Sequence, residues 1–232
     1  MRKIVSFVAV MLCAVSLFAG WQEELQAAKA QGISFSDDNK TLIRCPTNVT
    51  SVVIPSCVTT IAERAFYKCR NLSITIPASV TTIGEGAFVG VRSIRLAPRN
   101  NLTFFMENGA LINLQEWEPC EGGFIIIKAT LLYVPCDTTG EYVISESVTH
   151  IGMGAFGECR NLTSITIPDS VTTINDGAFY KCSSLTNITI PDSVTTIGRN
   201  AFYGCNSLTR VEIPRNCNVH DRAFRNCQVI RR

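Results

Sequence analysis

Val148, Val171 and Val194 each open a V-T-x-I segment, and each lies 23 residues after the one before it. A fixed period of this size specifies a solenoid, because one turn has an apolar face that only stacked neighbours can bury. The apolar spacing is kept within the copies. Val171, Ile174, Ala178, Phe179, Cys182, Leu185, Ile188 and Ile190 recur as Val194, Ile197, Ala201, Phe202, Cys205, Leu208, Val211 and Ile213. Val58 and Val80 open two further copies 22 residues apart, and a degenerate last copy runs from Val219 to Cys227. Segments such as Ile165-T-I-Pro168 alternate apolar and polar residues and stop at proline, so each predicts a short strand. In that strand Ile165 and Ile167 point inward, leaving Ser164 and Thr166 outside. The expected fold is a repeat solenoid of about eight turns of 22–23 residues with little helix.

Residues outside the repeat fall into three groups. Arg2 and Lys3 precede an apolar run from Ile4 to Ala19, and small residues close it at Ala19-Gly20. This pattern predicts a signal peptide over 1–20, and hence export. Residues 21–40 are expected to form an N-terminal cap, with a short helix in the helix-forming stretch Gln22–Ala30. Residues 99–145 keep little of the consensus and are expected to be irregular turns. A second symmetry crosses them: Thr41-L-I-R-C-Pro46 and Val53-I-P resemble Thr130-L-L-Y-V-Pro135 and Val143-I-S, at offsets of 89 and 90. That divides the repeats into two blocks, each opening on an atypical turn. No Gly/Ser- or Pro-rich linker separates the blocks, so 41–232 is expected to be one continuous solenoid.

Without residues 1–20 the chain carries 19 basic and 19 acidic residues, a balance that argues against a general nucleic-acid binder. The charge is unevenly placed. Seven acids lie between Glu107 and Glu146 against Lys128 alone, and seven arginines lie from Arg199 onward against Glu212 and Asp221. Solvated edges explain this distribution; so would docking, including self-association of the acidic middle with the basic C-terminal end.

Ten cysteines remain after residue 20. Cys69, Cys159, Cys182, Cys205 and Cys227 each lie three residues after the Phe of A-F-x-x-C, where another copy has Val91. They read as a core column of small hydrophobes. Cys45, Cys57, Cys120, Cys136 and Cys217 are off register, and any disulfide is expected among those five.

No residue set supports catalysis or a cofactor. His150 fills a slot held elsewhere by Thr60, Thr82, Thr173 and Thr196. His220 lies near Cys217 and Cys227 but lacks a fourth ligand, so no metal is expected. Nor is a small-molecule substrate.

Two regions are candidate binding surfaces. The outward residues Ser164, Thr166, Asn187 and Thr189 make a small, uncharged face that gives way to Arg210 and Glu212. The stretch 101–127 holds Glu116, Trp117 and Glu118 beside an apolar cluster. Insertions in repeat arrays map to loops on one face and often carry binding.

The phrase from Ala155-F-G-E-C-R-N-L-T-S-I-T-I-P-D-S-V-T-T to Ile174 resembles the BspA-like, or Treponema pallidum-type, leucine-rich repeat, and the likeness extends from about Thr41 to Cys227. The resemblance implies a right-handed curved solenoid with a parallel sheet on its concave face. It implies exported or surface proteins that bind other proteins, including host matrix components, and no shared catalytic residues. The expected function is a non-enzymatic protein-binding scaffold acting through the concave face and 101–127. The alternatives are a periplasmic assembly scaffold without a host partner, and an enzyme or inhibitor with its site in the irregular middle.

Overall fold

Each repeat contributes two short strands, one to each of two parallel ladders that enclose the core. The computed structural model describes residues 20–98, 103–120, 123–225 and 227–232; the expected signal peptide therefore lies, but for Gly20, outside the described residues. The narrow ladder is built from two-residue strands such as Thr60–Ile61, Thr173–Ile174 and Thr196–Ile197. Its register keeps like beside like: Thr60 pairs Thr82, and Ile174 pairs Ile151 and Ile197. The wide ladder uses longer strands, including Ser73–Ile76, Asn161–Thr166 and Asn187–Thr189. The isoleucines of both ladders are buried in common clusters.

The consensus has a bonding reason at each slot. In V-T-T-I the first threonine binds the previous turn twice. The N–H of Thr172 donates to Thr149 O at 2.9 Å, and its hydroxyl donates to the same carbonyl at 3.3 Å. Thr195 repeats this on Thr172, and the hydroxyls of Ser170 and Ser193 donate to Val148 O and Val171 O at 2.8 Å. Backbone groups at the turn edges thus find partners one repeat away. Two positions flanking Ala-Phe lie in the left-handed region in turn after turn, for example Gly177 (φ 57°) and Lys181 (φ 61°), or Asn200 (φ 54°) and Gly204 (φ 81°). Glycine fits there without the Cβ conflict that other residues meet.

Rings stack along the core with the repeat. Phe156, Phe179, Phe202 and Phe224 succeed one another at centroid separations of 5.0, 4.9 and 4.6 Å. Cys69, Cys159, Cys182 and Cys205 are buried beside them, and Cys227 is half-buried in the last turn. The column does more than fill space. The thiols of Cys182 and Cys205 donate to Phe156 O and Phe179 O at 3.1 Å, one turn back. Burial also pushes the Cys159 and Cys182 thiols up, holding them protonated as donors. Cys45 and Cys217, although off register, are buried in the core as well. The nine described cysteines are free thiols. In native protein a neutral thiol reagent should modify Cys57, Cys136 and Cys227 first, and Cys69, Cys159, Cys182 and Cys205 only on unfolding. Peptide mapping would show this; native labelling of Cys182 at the rate of Cys57 would contradict the column.

Both ends of the first block are closed by non-repeat structure. The helix over 20–30 buries Leu25 and Ala28, and its Glu24 carboxylate accepts from the Ser56 N–H at 2.9 Å. Ser34–Phe35 then pairs antiparallel with Thr41–Arg44. Where the repeat breaks, an antiparallel meander of Phe104–Glu107, Ala110–Cys120 and Gly123–Tyr133 takes its place. Strand side chains alternate between faces, and here the two faces serve different cores. Phe104, Leu111 and Tyr133 join the first block's cluster, whereas Ala110, Ile112, Ala129 and Leu131 join the second's. The meander is a wall between two cores, and its last strand starts the second block's narrow ladder by pairing Thr130 with His150.

Further contacts cross this junction. Glu158, buried at 3% exposure, pairs with Arg70 of the first block and with Arg160 at 3.4 Å. The N–H of Cys136 donates to Val91 O at 3.2 Å, and Arg92 pairs with Asp137 at 3.3 Å.

Candidate binding surface

The outward face of the wide ladder in the second block is a grid set by parallel register. Glu141, Ser164 and Asn187 form one row, and Val143, Thr166 and Thr189 the next. The alternating pattern that buries Ile165 and Ile188 turns these residues outward. The next strand supplies Arg210 and Glu212, whose side chains are paired with each other at 2.7 Å.

A hollow of about 730 Å³ lies over the grid, lined by Ser164, Thr166, Asn187 and Thr189 together with Glu141 and Arg232. Arg232 closes one side from forty residues away. Its guanidinium donates to Ile190 O at 2.7 Å and pairs with Asp192 at 3.0 Å. Four of the sequence-selected residues are therefore brought into one concavity, and Arg210 and Glu212 stand on the adjoining strand.

The grid also has an apolar element that composition had hidden. Val143 is 58% exposed and Val53, its counterpart in the first block, 56%. Val53 heads the row Val53, Thr75, Arg95 just as Val143 heads its own. The offset of 90 residues between the blocks was the available signal, since it sets the same outward valine at the leading strand of each.

Glu116, Trp117 and Glu118 lie elsewhere. They are on the second strand of the meander, within the narrow ladder, and none lines the hollow. By register Glu116 faces Lys128, Trp117 faces Ile126 and Glu118 faces Ile125. The Trp117 and Cys120 side chains lie outside the described residues, and Glu116 and Glu118 are exposed. Phe104–Glu107 pairs only as far as Asn113, and His150–Ile151 meets only Thr130 and Leu131. Among the described residues, the strand segments 115–120 and 123–128 consequently pair along the backbone only with one another, as a ribbon about 20 Å long at roughly 3.3 Å per residue.

His150 bonds through Nδ1 with the Thr149 hydroxyl at 2.8 Å, and burial pushes its pKa down. It is a repeat-slot residue in the ladder. Among the described residues no three His, Cys, Asp or Glu side chains are grouped to hold a metal ion, and no helix is long and apolar enough to cross a membrane.

The BspA type leucine rich repeat region matches the chain in six copies over residues 39–110 and 126–232, passing over the distal ribbon. No curated protein sequence matches significantly. Among solved structures, a leucine rich cell surface protein of Faecalibacterium prausnitzii is 27% identical, with a TM-score of 0.55 over 83% of this chain. This chain spans 59% of that protein's length. A leucine-rich repeat protein of Eubacterium ventriosum is 24% identical, with a TM-score of 0.56 over 79% of this chain and 66% of its own, and shares the fold. The pneumococcal vaccine antigen PcpA shares it at 18% identity and a TM-score of 0.50, over 72% of this chain and 51% of its own. With well over half its length matched by the repeat, the chain belongs to the BspA-type leucine-rich repeat family.

Proposed function

We propose that this protein is an exported, non-enzymatic binding scaffold that engages a protein partner, of the kind found in host extracellular matrix, through the outward grid of the second block. The observation that carries the reading is the hollow over Ser164, Thr166, Asn187 and Thr189, bounded by Glu141 and Arg232. Its polar side chains are held at fixed spacing by the ladder, so a partner meets hydrogen-bonding groups that need little ordering. The exposed Val143 adds an apolar anchor at the end of one row. The ribbon bearing Glu116, Trp117 and Glu118 is a second contact, and its acidic charge complements the basic C-terminal turns for self-association.

Biolayer interferometry of the chain from residue 21 against purified matrix glycoproteins tests the reading. Thr166→Arg with Asn187→Arg should weaken binding at least tenfold while leaving the melting temperature within about 2 °C, because surface substitutions usually change stability by under ~0.5 kcal/mol. Binding by none of the glycoproteins, or equal binding by this double variant, would leave the grid without the proposed role. Protection from protease on intact cells until the outer membrane is opened would favour the periplasmic scaffold.

A further inference from the structure

A second hollow, of about 380 Å³, opens where the A-F-x-x-C turns of the later repeats stack, among Arg160, Lys181, Tyr203, Gly204 and Arg225. It shares no residue with the grid. Its lining holds three cations, and among the described lining residues none is a carboxylate. Arg160 is tied from beneath by the buried Glu158. Lys181 and Arg225 are held by aromatic rings instead. The Lys181 ammonium lies 5.1 Å from the Tyr180 ring and the Arg225 guanidinium 5.5 Å from the Tyr203 ring, and these two rings stack at 5.6 Å. Such contacts position a cation without neutralising it.

The backbone shapes the hollow. The slot before the core Cys, or before Val91 in its place, is left-handed whether glycine fills it, as at Gly90 and Gly204, or a long side chain does, as at Lys68 (φ 64°) and Glu158 (φ 66°). At Lys181 a long side chain stands there at φ 61°. Glycine is the least strained residue at such a slot, and whether it or a long side chain stands there decides how much room the turn leaves at its edge. One turn on, a Cβ added to Gly204 would lie 3.1 Å from Lys181 Cγ. The missing side chain at Gly204 is what keeps the hollow open beside Lys181.

The cations also continue as a line. Arg70 and Arg160, one from each block, reach the same Glu158 oxygen, so Arg70, Arg160, Lys181 and Arg225 follow one another along the turn edge. We propose that this edge binds a sulfated polysaccharide, one sulfate group seated in the hollow among Arg160, Lys181 and Arg225 and the chain running toward Arg70. Repeated anionic groups match a line of cations, whereas a single phosphate would use one hollow. Nucleic acid fits less well, because Tyr180 and Tyr203 cover each other and leave little platform for base stacking.

The test is isothermal titration of the chain from residue 21 with a heparin octasaccharide across a salt series, with inorganic sulfate, polyglutamate and a single-stranded oligonucleotide as further probes. The octasaccharide should bind at 0.15 M salt, where the Debye length is about 8 Å. Lys181→Gly with Arg225→Gln should weaken it at least tenfold and flatten the dependence of log K on log salt by about 1–2. Lys181→Gly alone should leave the melting temperature unchanged or raise it. An octasaccharide affinity untouched by the double variant would overturn the site. So would an equal loss on Arg199→Gln, a cation outside the hollow. Equally tight binding of polyglutamate or the oligonucleotide would overturn the polysaccharide as occupant. A fall in melting temperature for Lys181→Gly would make that lysine structural and take it out of the site.

Discussion

Replacing Phe179 by alanine should destabilise the protein by about 3–5 kcal/mol, the range for deleting a buried aromatic ring. Phe179 is fully buried and stacked on both faces, 5.0 Å from Phe156 and 4.9 Å from Phe202. A repeat cannot collapse around such a vacancy, because backbone hydrogen bonds to both neighbouring turns hold it at its height: Phe179 N–H donates to Ala201 O at 2.8 Å, and Phe156 N–H donates to Ala178 O at 2.8 Å. Chemical denaturation with a two-state fit measures the effect. A loss under about 1 kcal/mol would mean that the ring column is not what joins the turns.

The second large effect runs against the consensus. At the slot after the core Phe, three turns carry Tyr67, Tyr180 and Tyr203, so repeat averaging would nominate tyrosine at Gly157. The tertiary structure forbids it. A Cβ on Gly157 would lie 2.6 Å from Val89 Cγ1 and 2.9 Å from Gly154 O, and one on Gly154 would lie 2.3 Å from Val89 Cγ2. Val89 belongs to the first block and fills this space across the junction. Gly157→Tyr should therefore destabilise by about 2–3 kcal/mol, as overpacking does, and Val89→Ala in the same chain should recover much of that loss. The pair makes a double-mutant cycle. A stabilising Gly157→Tyr would show that the blocks do not meet through Val89.

The same contrast separates what the residues disclose from what they leave open. Val171, Ile174, Phe179, Cys182 and Ile188 repeat locally, at a period that maps directly onto one turn, so the solenoid, its inward isoleucines and its outward Ser164, Thr166, Asn187 and Thr189 could all be read without coordinates. The capping helix was legible for a different reason, as a stretch of helix-forming residues over Gln22–Ala30 ahead of the repeats. The meander was not. Leu111 and Ile112 differ in which core they enter only because a strand turns alternate residues to opposite faces, and one sequence stretch cannot reveal that a separate core waits on each side.

The sites divide in the same way. Periodicity marked the outward rows but could not show that Arg232 folds back to wall them, since that contact spans forty residues. Lys181 looked like one more variable slot; its left-handed backbone, the absent side chain at Gly204 and the approach of Arg225 appear only when three turns are stacked. The sequence by itself determined the repeat, its period and the facing of the side chains in the consensus turns, because those follow from interactions within a turn and its immediate copies. The tertiary structure alone decided where the two blocks meet, which of their variable residues converge, and hence where a ligand can sit, because those depend on contacts between residues distant in the chain.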